Sequence, residues 1–458
     1  MQRLALVPRS PLLWLAASAL PLAVLGAIDP DAAAIPLGLI LALVLFAVWD
    51  ATRSIHRLDG FSVELPPVLR LTQDRSADVP VLLRHEARAT RRVRLGLGWP
   101  PGLIPRHEDC LVALPEGTDR SQLEWSCLPV SRGRAAIRRA YHESPSPFGL
   151  WSLRRAVPVS CEVRVYPNLE AERKRLAALF LNRGLFGLHA QRQVGKGREF
   201  EKLREYVPGD GYDEIHWKAT ARRGHPITKV FQIERTQEVY VVVDASRLSG
   251  RPAPSVERDP AAADAPGSRG ATILDRFLAG ALILGQAAEH QGDLFGVVAF
   301  ADQVQTFLRA RIGREHYSAC REALFALEAR SVTPDFDEIS FFLRTRLRRR
   351  ALLLFLTSLE DPVLAEAFVR NMNLLAGQHL VLVNMVQPPA ARPLFTDPRA
   401  ETLDDLYAHL GGHLQWHSLR ELQKVLQRRG VRFSLLNSAR ISTELVAQYL
   451  SVKQRQLL

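Results

Sequence analysis

Cysteine and methionine are scarce, at four and three residues in a chain of 458. Cys110, Cys127, Cys161 and Cys320 form no CxxC pair and no metal-ligand spacing, which excludes a zinc module and a disulfide framework. Acidic charge is in deficit: 60 Lys and Arg stand against 48 Asp and Glu, a formal net charge of +12. The arginines are spread through every segment, and RNA-recognition and zinc-finger signatures are absent, so nucleic acid is not the expected partner. An anionic lipid surface accounts for the excess equally well. Also missing are the GxxxxGK[ST] phosphate loop, the GxSxG elbow, the HExxH helix and any repeat at solenoid periods.

Long apolar runs, by contrast, are present twice. Residues 11–28 and 32–49 contain no charged side chain, and each is near the lower limit of about 17–25 residues for crossing a bilayer as a helix. Asp29-Pro30-Asp31 between them is short and polar, which predicts a transmembrane helical hairpin over residues 1–57. Arg3 and Arg9 precede the first run, and Arg53 and Arg57 follow the second. The positive-inside rule then puts both ends of the hairpin in the cytoplasm, along with the rest of the chain. A cleaved signal peptide is the competing reading, but the second run would stop its transfer.

Residues 58–167 show short alternating runs punctuated by Pro and Gly, which predict antiparallel strands in a β-sandwich-like domain. Residues 168–236 begin with a helix-forming stretch, followed by a loop around Gly195-Lys196-Gly197. From residue 237 to 458, buried-type strands alternate with amphipathic helices, as in an α/β domain built on a doubly wound, mainly parallel sheet. Residues 250–270, rich in Pro, Ala and Asp, read as a flexible insertion, and the stretch after Pro388-Pro389 reads as loose until a helix begins near Leu419.

The most distinctive stretch is GREFEKLREYVPGDGYDEIHWKATARRGHPITKVFQIE, residues 197–234. Glu199, Phe200, Leu203, Arg204, Tyr206, Pro208, Gly209, Asp210, Ile215, Trp217, Ala221 and Arg222 fall in a pattern that closely resembles the bacterial family called domain of unknown function 58. His216 stands where that pattern has Asp. Ser146-Pro147-Phe148-Gly149-Leu150-Trp151 resembles the family's Asp-Pro-Phe-Gly-Leu-aromatic turn, with Ser for Asp, and Val165-Tyr166-Pro167 resembles its Val-Tyr-Pro strand end. The resemblance implies that the C-terminal domain is von Willebrand factor A-like. It also implies association with a MoxR-type AAA+ ATPase.

Read from chemistry alone, Arg204, Asp210, Asp213 and Arg222 supply opposite charges for an ion-pair network around Trp217. The other reading is a docking surface anchored by Trp217, Tyr206 and Arg222. Asp213 with His216 has no nucleophile nearby, so catalysis is not expected.

Val243-Asp244-Ala245-Ser246-Arg247-Leu248 lies at the end of the first predicted α/β strand. The resemblance to A-like domains implies a metal-ion-dependent adhesion site there, in which Asp244, Ser246 and a distal Thr, taken as Thr333, would hold Mg²⁺ through oxygen. Leu248 occupies the place of the second Ser, and Ser358 that of the distal Asp, so the site is degenerate and no cofactor is expected. The bland alternative is that Asp244 and Ser246 cap the following loop.

The expected function is a membrane-tethered scaffold at the inner membrane, not an enzyme, that partners a MoxR-type ATPase and unidentified client proteins. A Mg²⁺-dependent protein-binding module is the alternative, and a hydrolase of envelope precursors a more remote one.

Overall fold

The computed structural model describes residues 4–28, 34–55, 60–85, 91–115, 117–182, 194–208, 211–212, 215–232, 237–254, 271–394 and 402–455. Two compact units divide the chain, one over Met1–Asn168 and the other over Leu169–Arg258 with Gly270–Leu458.

The first unit holds two apolar helices, α1 (Ser10–Ile28) and α2 (Ala34–Ser54), which pack against each other. Among the described residues, α2 is the one helix long and apolar enough to cross a membrane, while the apolar stretch of α1, Ser10–Val24, is shorter. The expectation of two equivalent spans therefore meets the length requirement in one helix.

Among the described residues the rest of this unit holds ten strands: β1 (Leu4–Pro8), β2 (Ser62–Glu64), β3 (Val68–Thr72), β4 (Ala77–Arg84), β5 (Arg91–Leu97), β6 (Leu103–Pro105), β7 (Asp109–Leu114), β8 (Arg120–Pro129), β9 (Gly133–Pro145) and β10 (Trp151–Tyr166). One sheet runs β1-β10-β9-β5-β7 with β3 also on β10, and the other runs β2-β4-β8-β6. Alternate residues of both sheets meet in one core: Val79, Val81 and Leu83 of β4 join Val93 and Leu95 of β5, Ile137 of β9 and Val163 of β10. Period-two patterning produces this arrangement, because successive side chains leave a strand on opposite faces. Strand β1 was not legible as a strand, because its apolar residues run straight into α1.

The second unit opens with α3 (Glu170–Asn182), then β11 (Val194–Glu205), α4 (Trp217–Arg223) and β12 (Ile227–Gln232), with β11 and β12 forming an antiparallel pair. Gly195-Lys196-Gly197, expected in a loop, belongs to β11, where the register shifts between Val194 and Glu199. There follow β13 (Glu238–Asp244), α5 (Ile273–His290), β14 (Leu294–Phe300), β15 (Val304–Arg311), α6 (Arg314–Phe325), α7 (Phe336–Arg346), β16 (Leu352–Leu356), α8 (Pro362–Ala376), β17 (Leu380–Val386), α9 (Leu403–Arg428), β18 (Arg432–Leu436) and α10 (Ile441–Gln454).

The six-stranded sheet has the order β15-β14-β13-β16-β17-β18, parallel throughout except for β15 at its edge. Val239, Val241 and Val243 of β13 face a core with α3, α5, α6 and α10. Tyr240 and Val242 face a second core with α7, α8 and α9. Burial on both faces explains why β13 and β16 read as unbroken apolar runs. Helix α9 corrects the loose stretch expected before Leu419. Gly411-Gly412 looks like a breaker, but a Cβ at Gly412 would sit 2.1 Å from the Ala390 carbonyl oxygen. Glycine serves there for close approach. Of the insertion read over 250–270, residues 255–270 lie outside the described residues.

Candidate functional site

The chain order of the second unit makes β13 the strand from which the sheet grows both ways: β14 lies on one side and β16 on the other. A crevice at the carboxyl ends of β13 and β16 is where such sheets hold ligands. Asp244 ends β13 and Thr357 follows β16, and here they close on each other. The Thr357 hydroxyl donates to Asp244 Oδ2 at 2.6 Å, and the Ser246 N–H donates to Oδ1 at 2.8 Å. The Leu248 N–H is oriented on Ser246 Oγ at 3.4 Å. Asp244, Ser246 and Thr357 are all fully buried. Burial pushes the Asp244 carboxyl up from its ordinary value, against the lowering by the Thr357 hydroxyl and by Ser246.

This donor set does not fit magnesium. The ion takes oxygen ligands in near-octahedral geometry and retains water. Here the carboxylate is buried, both of its oxygens accept hydrogen bonds from protein, and Leu248 offers no oxygen. Thr333 is exposed, and its loop meets the Asp244 loop through backbone, with the Arg247 N–H donating to the Val332 carbonyl at 3.0 Å. Among the described residues no group of three His, Cys, Asp or Glu is placed to hold a metal. Outside the crevice, Glu360 accepts from Ser358 Oγ at 3.1 Å and from Arg251 Nη1 at 3.1 Å. Thr357 is the residue that sequence reasoning passed over, because only the β13–β16 register brings it to Asp244.

The signature segment is built differently. Arg204 and Glu205 of β11 pair with Thr228 and Ile227 of β12. The Tyr206 N–H donates to the Pro226 carbonyl at 3.0 Å, and the His216 N–H to the Ile227 carbonyl at 2.7 Å. Ile215 and Ile227 are buried. Helix α4 starts on His216, whose Nδ1 accepts the Ala219 N–H at 3.1 Å. His216 thus performs at the N-cap the acceptor role that an Asp performs. Gly224, at φ 74°, closes the helix in the left-handed region, with its N–H on the Thr220 carbonyl.

On this frame the large apolar side chains point outward. Trp217 is 68% exposed and Tyr212 78%, and Leu203 and Val207 are also exposed. The expected ion-pair network of Arg204, Asp210, Asp213 and Arg222 around Trp217 falls partly outside the described residues. Arg222 is exposed, Tyr206 and Arg204 are half-buried, and Arg204 Nη1 donates to the Glu205 carbonyl at 3.3 Å. Asp210 and Asp213 lie outside the described residues. A second outward face occupies the start of α9, where Leu403, Leu406, Tyr407, Leu410 and Leu414 are exposed at helical spacing. His413 is half-buried: its Nδ1 accepts the Leu394 N–H at 3.1 Å and its ring stacks on Trp416.

Other reactive groups are placed inertly. Burial, with help from Asp78, pushes the Cys127 thiol up to about 11, and burial pushes Cys320 up to about 12, so neither is a thiolate at neutral pH. A cavity of about 380 Å³ on the sandwich is lined by Arg94, Asp109, Tyr141, Glu143, Arg154 and Arg155. Two ion pairs lie in its lining, Arg154 with Glu143 at 2.8 Å and Arg94 with Asp109 at 3.5 Å.

A model described as "protein of unknown function DUF58" matches residues 202–397, which takes in most of the signature segment and most of the six-stranded sheet. Uncharacterized proteins of Mycobacterium bovis and Mycobacterium tuberculosis are 27% identical over 208 residues, 45% of this chain and 60% of their own length. The chain thus spans less than two thirds of these curated relatives. Among solved structures, an aerotolerance-related membrane protein of Bacteroides fragilis, with multiple mutations to serines, is 12% identical with a TM-score of 0.29, covering 48% of this chain and 99% of that one. A proximal thread matrix protein of mussel byssus is 13% identical with a TM-score of 0.25, covering 47% of this chain and 45% of that one.

Proposed function

We propose that this chain is a membrane-tethered, cytoplasm-facing interaction scaffold, not an enzyme. Its α/β unit is of the von Willebrand factor A type, and its partner is a MoxR-type AAA+ ATPase acting with it on client proteins at the inner membrane. The observation that carries the reading is the outward aromatic face of the signature segment. Trp217 and Tyr212 stand in water on a backbone tied down by β11, β12 and the His216 cap. Aromatic anchors on a fixed frame are the usual energetic centres of protein interfaces, because little freedom is lost when they are buried. The apolar stripe of α9, with its spacing of three and four residues, adds a second face of the kind that helix-binding partners read.

The tether rests on α2. Helix α1 begins and α2 ends at the same sandwich turn, which supports two helices folded back on each other. Arg9 and Arg53 at those ends support a cytoplasmic location. The order of the six-stranded sheet, with one antiparallel edge strand, supports the A-type assignment. His216 Nδ1 is engaged in capping α4, which favours binding over hydrolysis.

Co-purification from gently solubilised membranes, with and without ATP, tests the proposal. Wild type is expected to retain an AAA+ ATPase, and Trp217→Ala to lose it. Recovery of no ATPase with wild type overturns the reading.

A further inference from the structure

Asp50 is the only acid in α2, and it is completely buried one turn from the helix end. A carboxylate in that position is stable only if its oxygens find donors. The donors come from the turn between β9 and β10. Ser146 Oγ donates to Asp50 Oδ2 at 2.5 Å, and the Phe148 N–H donates to Oδ1 at 3.2 Å. The same turn holds the helix a second time, with Trp151 Nε1 on the Ala47 carbonyl at 2.9 Å, and Ser146 Oγ also accepts the Trp151 N–H at 3.0 Å. It grips the start of α1 as well, since the Arg9 N–H donates to the Leu150 carbonyl at 2.9 Å and β1, just before it, pairs with β10. The sandwich therefore joins both helix ends through one six-residue turn.

The latch fixes where Phe148 goes. Its ring lies 5.0 Å from Phe46 and 5.6 Å from Trp49, yet Phe148 remains 53% exposed. The three rings continue the outward apolar surface of α2, where Leu37, Leu41, Val44, Leu45 and Val48 are exposed. Arg53 stacks over Trp49 at 4.9 Å, and Arg9 borders Gly149. Aromatic rings beneath a rim of arginines, with the Asp50 carboxylate buried, have the chemistry of a bilayer interface: rings at the headgroup level and cations toward lipid phosphate.

We propose that the turn 146–151 is an interfacial lipid-binding element. It inserts Phe148 beside Phe46 and Trp49 into the headgroup layer of the bilayer that α2 crosses, and the Asp50 latch holds it there. The sandwich is then seated on the membrane instead of hanging from it. This rests on the membrane reading of α2, and the test separates the two.

The full chain is reconstituted into lipid nanodiscs containing phosphatidylglycerol, with the photocrosslinker benzoylphenylalanine at position 148, at position 41 on α2, or at position 111, an exposed site on β7. Lipid adducts are expected at 148 and 41 but not at 111. Adduct at 41 without adduct at 148, or equal yields at 148 and 111, overturns the interfacial element and spares the span. Adduct at neither 41 nor 148 overturns both. Asp50→Leu, or Ser146→Ala should that variant not fold, is expected to bring the yield at 148 down to that at 111 while leaving 41 unchanged. An undiminished yield at 148 in the variant that folds contradicts the latch.

Discussion

The carboxyl end of the six-stranded sheet and the signature segment belong to the same unit and handle their chemistry in opposite ways. At the sheet end, Asp244, Ser246 and Thr357 are buried and satisfy one another, although this is the crevice where such a sheet ordinarily binds something. In the signature segment the polar backbone is satisfied internally, and Trp217 and Tyr212 are left in water. Architecture alone points to the first place and exposure to the second. A position favoured by topology carries function only if its polar atoms remain available to a ligand. Here they hold two strands together.

The largest effect should come from opening the closed side. Asp244→Leu leaves the Thr357 hydroxyl and the Ser246 N–H as buried donors without acceptors, a cost of about 3 kcal/mol, seen as a lower thermal unfolding midpoint. Next is the open side. Trp217→Ala should weaken partner retention by about 2 kcal/mol, roughly thirtyfold, while its midpoint stays within about 0.5 kcal/mol of wild type. Binding and stability are thereby separated between the two regions.

Acid response sharpens the contrast further. The Asp244 carboxyl is held above its ordinary value by burial, so as pH rises the unfolded chain releases this proton before the folded chain does. Stability from this group is full below the ordinary aspartate value and is lost as pH climbs through the raised one. Denaturant titrations between acid and neutral pH should show that loss, and Asp244→Asn should flatten it. A smaller effect is expected at the frame of the open side. His216→Ala removes the cap of α4 and should cost about 1 kcal/mol, read as faster hydrogen exchange at the Ala219 amide, with His216→Asp restoring protection. Smallest of all, chelator should leave partner retention unchanged, because the Asp244 site does not fit magnesium.

How much of this was legible in the sequence differs between the same regions. The unbroken apolar runs of β13 and β16 and the amphipathic periodicity of α5 could be read directly, because strand burial and helix periodicity are local rules. Strand β15 was not, since an edge strand alternates weakly and carries arginines. The first half of α9 was hidden by Gly411-Gly412, whose glycine is required by a distant carbonyl and not by a break in the helix. Thr357 and Asp50 were invisible for one reason: each is paired with a residue about a hundred positions away, and no spacing rule reaches that far. The composition of the signature segment was legible, but the sequence did not decide between its two readings. The sequence left a charged network around Trp217 and a docking surface side by side, and the 68% exposure of Trp217 is what the docking reading needs.

The most direct test sets one variant from each region side by side: Trp217→Ala and Thr357→Val, purified from membranes under identical conditions and probed for the retained ATPase. The account predicts that Trp217→Ala keeps its stability and loses the partner, while Thr357→Val loses stability and its folded fraction keeps the partner. Loss of the partner from folded Thr357→Val together with full retention by Trp217→Ala would place function at the carboxyl end of the sheet and contradict it.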